Sequence, residues 1–210
     1  MYRGSIALLL ITFLLAGSVL TACTPREPVI SPDFAEEIKE ALGYALAPTY
    51  LPEGFELTKD GDRVDPILIW GETGHFNLMY TKYSPSQGAT LVLSYPETYG
   101  ESNPVMERLG VTVPEDAISE IRINGETAFL FHGNWTLETL VRISQLITPL
   151  NPEWDYESNH ISIRFAFSIP GGEMIWVWLG TLWPGDEVTT GDEVTEQDII
   201  RIVESVVVVD

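Results

Sequence analysis

The sequence predicts an α+β fold, mainly an antiparallel sheet of short strands (a meander and hairpins) with an N-terminal and a C-terminal helix packed on it. Apolar residues recur at helical spacing after Ser31 and again after Thr195. Between these two segments, apolar and polar residues alternate in short runs, and segments rich in glycine, proline, asparagine and aspartate separate the runs. We expect a single folded domain over residues 33–210.

The first 22 residues are typical of a secretory signal peptide, because Arg3 precedes an apolar run over residues 6–15 and small residues follow. The segment ends in Leu20-Thr21-Ala22-Cys23, which resembles the lipobox of bacterial lipoproteins. That resemblance implies cleavage before Cys23 and attachment of lipid, such as palmitate, to the cysteine. The mature protein is then held at the cell membrane or the outer membrane, facing outside the cytoplasm.

An uncleaved transmembrane anchor is the alternative for residues 5–22, because about 18 mostly apolar residues can span a bilayer. Cys23 favours the lipoprotein, since it is the only cysteine in the sequence and stands at the lipobox position. A chain with one cysteine forms no intrachain disulfide, so its core must supply the stability. Residues 23–32, the lipidated cysteine and a segment with three prolines, are expected to form an extended tether.

The charge balance argues against nucleic acid as a partner. The full chain has 31 acidic and 11 basic side chains and a net charge of -20. Removal of residues 1–22 takes away only Arg3, so 31 acidic and 10 basic side chains remain, a net charge of -21. Phosphate backbones and anionic headgroups repel such a chain, so membrane attachment must come from its N-terminus.

The first element is predicted to be a helix, with Ser31 as its N-cap and Pro32 at its first position. Its apolar face is formed by residues spaced four apart: Phe34, Ile38, Leu42 and Leu46.

Several β-rich runs follow and predict an antiparallel meander up to about residue 132. Asn124-Gly125 is the strongest turn signal, because both central residues of a type I′ turn need positive φ. The predicted strands on either side of it are residues 118–123 and 127–131. The earlier predicted strands are residues 55–59, 66–70, 76–83 and 90–95.

Residues 136–150 are predicted to be a helix, because Leu137, Leu140 and Val141 share one helical face, although the β-branched residues of this segment also suit a strand. Residues 161–169 then alternate as a half-buried strand. Its expected core side chains are Ile161, Ile163, Phe165 and Phe167, and those turned away are Ser162, Arg164 and Ala166.

Residues 174–182 are apolar on both faces, which predicts a central strand covered on both sides. A final helix is expected with Thr195 as its N-cap and Asp198 completing a capping box. Residues 206–209 are expected to form an edge strand. The side chains of the last helix expected to face inward are Ile199, Ile200, Ile202 and Val203.

Four short motifs carry a family resemblance: Tyr50-Leu51-Pro52-Glu53-Gly54-Phe55, Ile123-Asn124-Gly125-Glu126-Thr127-Ala128, the late strand with Trp176, and Val203-Glu204-Ser205-Val206. Together they make residues 48–206 resemble a domain of unknown function found on bacterial anti-sigma factors and exported lipoproteins. The resemblance implies a membrane-attached sensing or interaction role outside the cytoplasm, and it brings no catalytic residues. Residues 133–159 are longer than that pattern, so a partner surface built there in relatives is altered here.

The candidate binding residues are Trp176 and Trp178, which share one strand face and are able to line a groove for a lipid, glycan or peptide. Packing in the core is the alternative for both, and the favoured one. Asp186 and Asp192, in the duplicated Gly-Asp-Glu-Val-Thr segment, are weak Ca²⁺ candidates. A solvated acidic loop before the positive end of a helix is the favoured interpretation.

Catalytic motifs are lacking in the sequence. No G-x-S-x-G motif occurs, and His75, His132 and His160 do not have the spacing of metal ligands. We expect a non-enzymatic interaction or sensor domain without a cofactor, whose partner is an envelope protein or an apolar ligand. The alternatives are a carrier of lipid or another apolar ligand, and a hydrolase with an unrecognised site.

Overall fold

The computed structural model describes residues 26–58, 76–82, 89–97, 109, 111–145, 147–158, 160–181 and 194–210. The α+β fold predicted from the sequence is confirmed in these residues, where a seven-stranded antiparallel sheet is accompanied by three α-helices and two two-stranded sheets. The predicted strand 66–70 lies outside the described residues.

Helix α1 spans Pro32–Leu42, and the Ser31 hydroxyl accepts a hydrogen bond from the Phe34 N–H at 3.4 Å, which confirms the predicted cap. The prediction that Leu46 continues the apolar face of this helix is wrong. Gly43 ends the helix in the left-handed conformation, with a φ of 83°. Leu46 therefore starts a strand.

The predicted tether is shorter than the sequence suggests, because its last part packs on the domain. The Val29 N–H donates to the Pro48 carbonyl at 2.8 Å, and the Tyr80 hydroxyl donates to the Val29 carbonyl at 3.1 Å. Val29 and Ile30 also pack against the main core. The predicted tether is therefore held by the domain from Val29 onward, and the Arg26 guanidinium lies 5.8 Å from the centre of the Tyr50 ring.

The main sheet has the strand order β2-β3-β4-β10-β9-β6-β5. The predicted meander holds from β2 to β4 and is then interrupted, since the late β9–β10 hairpin lies between β4 and β6. Strand β10 is central, as predicted from its apolar character on both faces. In chain order the strands of the described residues are β1 Leu46–Pro48, β2 Glu56–Leu57, β3 Phe76–Lys82, β4 Ala89–Glu97, β5 Ile118–Ile123, β6 Glu126–His132, β7 Asn134–Trp135, β8 Trp154–Asp155, β9 Ile161–Ser168, β10 Met174–Thr181 and β11 Val206–Val208.

The β5–β6 hairpin confirms the turn predicted at Asn124-Gly125. These two residues have φ values of 52° and 90°, and Ile123 lies opposite Glu126 across the two-residue loop. Both strands stay in register to Ile118, which lies opposite Phe131.

Helix α2 spans Leu137–Ser144, so a helix does occupy this segment, although it ends well before residue 150. Helix α3 spans Glu196–Glu204 and has the predicted capping box of Thr195 and Asp198. Ile199, Ile202 and Val203 are buried in the main core, as predicted, and Ile200 is half-buried and packs against the same core.

The main core lies between one face of the sheet and helices α1 and α3, and the two-stranded β1–β11 sheet closes it. Strand β11 is therefore not an edge of the main sheet. The largest fully buried side chains include Tyr80, Tyr95, Ile38, Leu93, Ile163, Leu179 and Ile202.

Candidate functional site

Trp176 and Trp178 lie on the sheet face that is turned away from the main core. They alternate along β10 with Ile175, Val177 and Leu179, which are buried in that core. Both tryptophans are half-buried, and neither is among the residues of the core clusters. The favoured expectation that they pack in the core therefore does not hold for the main core.

Trp176 and its neighbours form a small cluster, which we name the aromatic face: Phe129, Arg164, Trp176 and Trp178. The rings of Phe129 and Trp176 have centroids 6.0 Å apart and planes inclined by 31°. The Arg164 guanidinium lies 5.9 Å from the centre of the Trp176 ring, within the range of a cation–π contact. Strand pairing fixes this arrangement, since Arg164 is opposite Phe129 on one side and Trp178 on the other.

The Trp178 ring lies over Gly180 on the same strand. A Cβ added to Gly180 would be 2.7 Å from Cη2 of Trp178 and 2.7 Å from Cβ of Ser162, too close for any real side chain. Ser162 is itself 6% exposed. Ser162 is thus turned away from the main core, as predicted, but is buried on the aromatic side.

Two of the three histidines, His132 and His160, lie within the described residues. His132 is 4.0 Å from the Glu196 carboxylate at a partly exposed position. His160 is buried, and its Nδ1 lies 2.6 Å from Oγ1 of Thr181. Burial lowers the pKa of His160 from 6.5 to about 4.

The His160–Thr181 pair resembles a base and a nucleophile at hydrogen-bond distance, but burial argues against that role. Thr181 is 1% exposed and His160 is 8% exposed, so a substrate carbonyl has no access to the hydroxyl in this conformation. The pair is better explained as a buried polar contact that satisfies both side chains.

Sequence reasoning missed a second, smaller core beyond the end of β6. The rings of Trp135 and Trp154 meet edge to face with centroids 5.0 Å apart, and Nε1 of Trp154 donates to the His132 carbonyl at 2.9 Å. Gly133 has a φ of 88° and lies directly beside Trp154. The sequence signal that could have found this core is the pair Trp135 and Trp154, at the two ends of the segment between β6 and β9, with Gly133 shortly before Trp135. The buried residues of this core are Leu109, Val111, Trp135, Leu140 and Ile143.

Cys23, Asp186, Asp192 and His75 lie outside the described residues, so the lipid site and the weak Ca²⁺ candidates stay predictions. In the part of the chain that is described, no group of three or more metal-ligating side chains comes together. None of the helices described there is long and apolar enough to cross a membrane.

Comparisons with known proteins find no matching family model, no matching curated protein and no matching solved structure. The resemblance to the domain of anti-sigma factors and exported lipoproteins therefore rests on the short motifs alone.

Proposed function

We propose that this chain is a lipid-anchored interaction or sensor domain outside the cytoplasm, which acts by binding an envelope protein and not by catalysis. The aromatic face carries the proposal. Tryptophan and arginine dominate the binding energy of protein interfaces, and aromatic rings contribute large contact areas at low entropy cost. Here both residue types stand together on a sheet face outside the main core.

Hydrogen-bonding side chains lie next to the aromatic face on the same side of the sheet. Trp178 lies opposite Ser94 on β4, and Ser94 lies opposite Asn77 on β3, with a hydrogen bond between these two side chains. One row across the sheet thus runs from aromatic and cationic groups to a hydroxyl and an amide. This mixture of an apolar centre and a polar rim is typical of protein–protein interfaces.

The short tether supports a partner close to the membrane. Five residues separate Cys23 from Val29, which is already held by the domain. Extended proline-rich chain spans about 3.1 Å per residue, so the tether reaches about 16 Å. A domain anchored at Cys23 therefore stays near the membrane surface.

A photo-activated cross-linking residue at Met174 tests the binding face in cells. Met174 is 46% exposed and lies two residues from Trp176 on the same face of β10. We expect a discrete adduct with one envelope protein, and loss of that adduct when Trp176→Ala is added. Glu138, exposed on α2, is the control position.

The outcomes separate the candidate functions. Adducts with the same proteins at Met174 and Glu138, or no adduct at Met174, would overturn the aromatic face as the binding surface. An adduct with the mass of a lipid would overturn the envelope-protein partner in favour of the carrier.

A further inference from the structure

We propose that strand β5 pairs with β5 of a second copy of this chain, antiparallel and about a two-fold axis at Ile121. The two seven-stranded sheets then continue into one another. The inference concerns the sheet edge and does not depend on the lipid anchor or on the aromatic face.

Strand β5 has an open outer edge in the described structure. It is the last strand of the main sheet, and β6 is its sheet neighbour on the inner side. Its six residues pair with β6 without a register shift and include no proline. Ser119, Glu120 and Arg122 are exposed. Edge strands that are straight and free of proline are able to pair with another chain.

The hairpin turn determines which backbone groups of β5 point outward. Ile123 and Glu126 flank a two-residue turn, so they form a hydrogen-bonded pair with each other. Hydrogen-bonded and non-hydrogen-bonded positions alternate along an antiparallel pair. Ile121 therefore directs its N–H and C=O towards β6, whereas Glu120 and Arg122 direct theirs to the open edge.

Charge then favours one register among the two-fold arrangements with an axis at Glu120, Ile121 or Arg122. An axis at Glu120 places this carboxylate opposite its own copy, and an axis at Arg122 does the same for the guanidinium. An axis at Ile121 places Glu120 of each copy opposite Arg122 of the other copy, so two pairs of opposite charge form. Opposite charges in directly opposed positions stabilise a sheet, and like charges destabilise it.

The same register also satisfies the backbone. Glu120 and Arg122 are both outward-directed positions, so they form hydrogen-bonded pairs across the new interface. Ile121 meets its own copy as a non-hydrogen-bonded pair. Nη1 of Arg122 donates to the Gly125 carbonyl at 3.0 Å, and a guanidinium carries further N–H donors for the second copy's carboxylate.

Disulfide trapping in membranes of cells that express the full chain tests this register. Two opposed residues of a non-hydrogen-bonded pair have Cα atoms about 4.5 Å apart, which suits a disulfide. We expect Ile121→Cys to give a cross-linked dimer on a non-reducing gel. The unchanged chain reports any cross-link through Cys23, and Glu138→Cys on exposed α2 is the matched control. Absence of the dimer from a folded Ile121→Cys chain overturns the proposal.

A second pair of variants avoids the packed side chain of Ile121. Glu120→Cys and Arg122→Cys chains, produced together, should form heterodimers, because the paired Cα atoms are about 5.5 Å apart. Each variant alone should not cross-link, since its two copies are separated by more than about 7 Å. Homodimers of either variant in excess of heterodimers would overturn the register.

Charge exchange provides the third readout. In the Ile121→Cys chain, adding Glu120→Arg or Arg122→Glu should lower dimer association about tenfold, because two attractive pairs become repulsive. The double exchange should restore it. Both side chains are exposed, so melting temperatures should stay unchanged and report folding separately. If neither single exchange lowers the cross-linking yield, the proposal is overturned.

Discussion

The hydroxyl of Tyr95 bonds both polar backbone atoms of Leu46. It donates to the Leu46 carbonyl at 2.9 Å and accepts from the Leu46 N–H at 3.0 Å. Both residues are fully buried. A single side chain of β4 thus joins the main sheet to the small β1–β11 sheet that closes the core.

Tyr95→Phe should lower the free energy of unfolding by about 1–3 kcal/mol, because it leaves buried backbone groups of Leu46 without a partner. Urea denaturation of the purified protein measures it. Tyr156→Phe is the control, since the Tyr156 hydroxyl bonds Asp116 at 2.7 Å on the exposed surface. Equal losses for the two variants would contradict the role of Tyr95.

His160 should make stability depend on pH. The pKa of its imidazole is about 4 in the folded protein, because burial disfavours the charged ring. In the unfolded chain the ring has its ordinary pKa of 6.5. The folded state is therefore stabilised fully above pH 6.5, and this contribution is lost as the pH falls towards 4. This contribution to the free energy of unfolding is about 3 kcal/mol, because each unit of difference between the folded and unfolded pKa corresponds to about 1.4 kcal/mol.

His160→Gln should remove this part of the pH dependence, measured as unfolding free energy between pH 7 and pH 4. The carboxylates titrate in all variants, so the difference from the unchanged protein is the quantity of interest. Ser168→Ala, at an exposed position, changes no titratable group; it is the control and should follow the unchanged protein. Parallel curves for all three proteins would be inconsistent with a neutral buried His160.

Phe165→Ala should cost about 3–5 kcal/mol, since Phe165 is 3% exposed in the main core. Ser168→Ala, on the same strand and exposed, should change stability by less than about 0.5 kcal/mol. Chemical denaturation of both variants checks the register of β9. Similar costs would mean that this strand does not present alternate residues to the core.

Gly180→Ala should destabilise the protein by about 1–3 kcal/mol, because the added methyl group overlaps the Trp178 ring. The cost should be smaller when Trp178→Ala is already present. Thermal denaturation of the single and double variants measures the coupling. Additive costs would show that the Trp178 ring does not rest on Gly180.

Cys23→Ala should abolish incorporation of a radiolabelled fatty acid, because Cys23 is the expected site of covalent lipid. The unchanged chain is labelled in parallel, and its intact mass should show loss of residues 1–22. Retention of those residues in the native mass would favour the uncleaved transmembrane anchor instead.

The sequence by itself determined the features that depend on neighbouring residues. Ser31 caps α1, Thr195 and Asp198 cap α3, and Asn124-Gly125 turns the β5–β6 hairpin. Each is a local interaction within a few residues, so the residue types alone specify it. The alternation along β9 likewise identified which side chains enter the core, because side chains of a strand point to opposite faces in turn.

The tertiary structure decided what depends on distant pairing. Gly43 ends α1 locally, but Leu46 lies in a strand because Val208, far along the chain, pairs with it. The β9–β10 hairpin entered the sheet between β4 and β6, and this placed Arg164 between Phe129 and Trp178. Local periodicity assigns a residue to a face but not to a neighbour, because strand order follows from the burial of whole faces against one another.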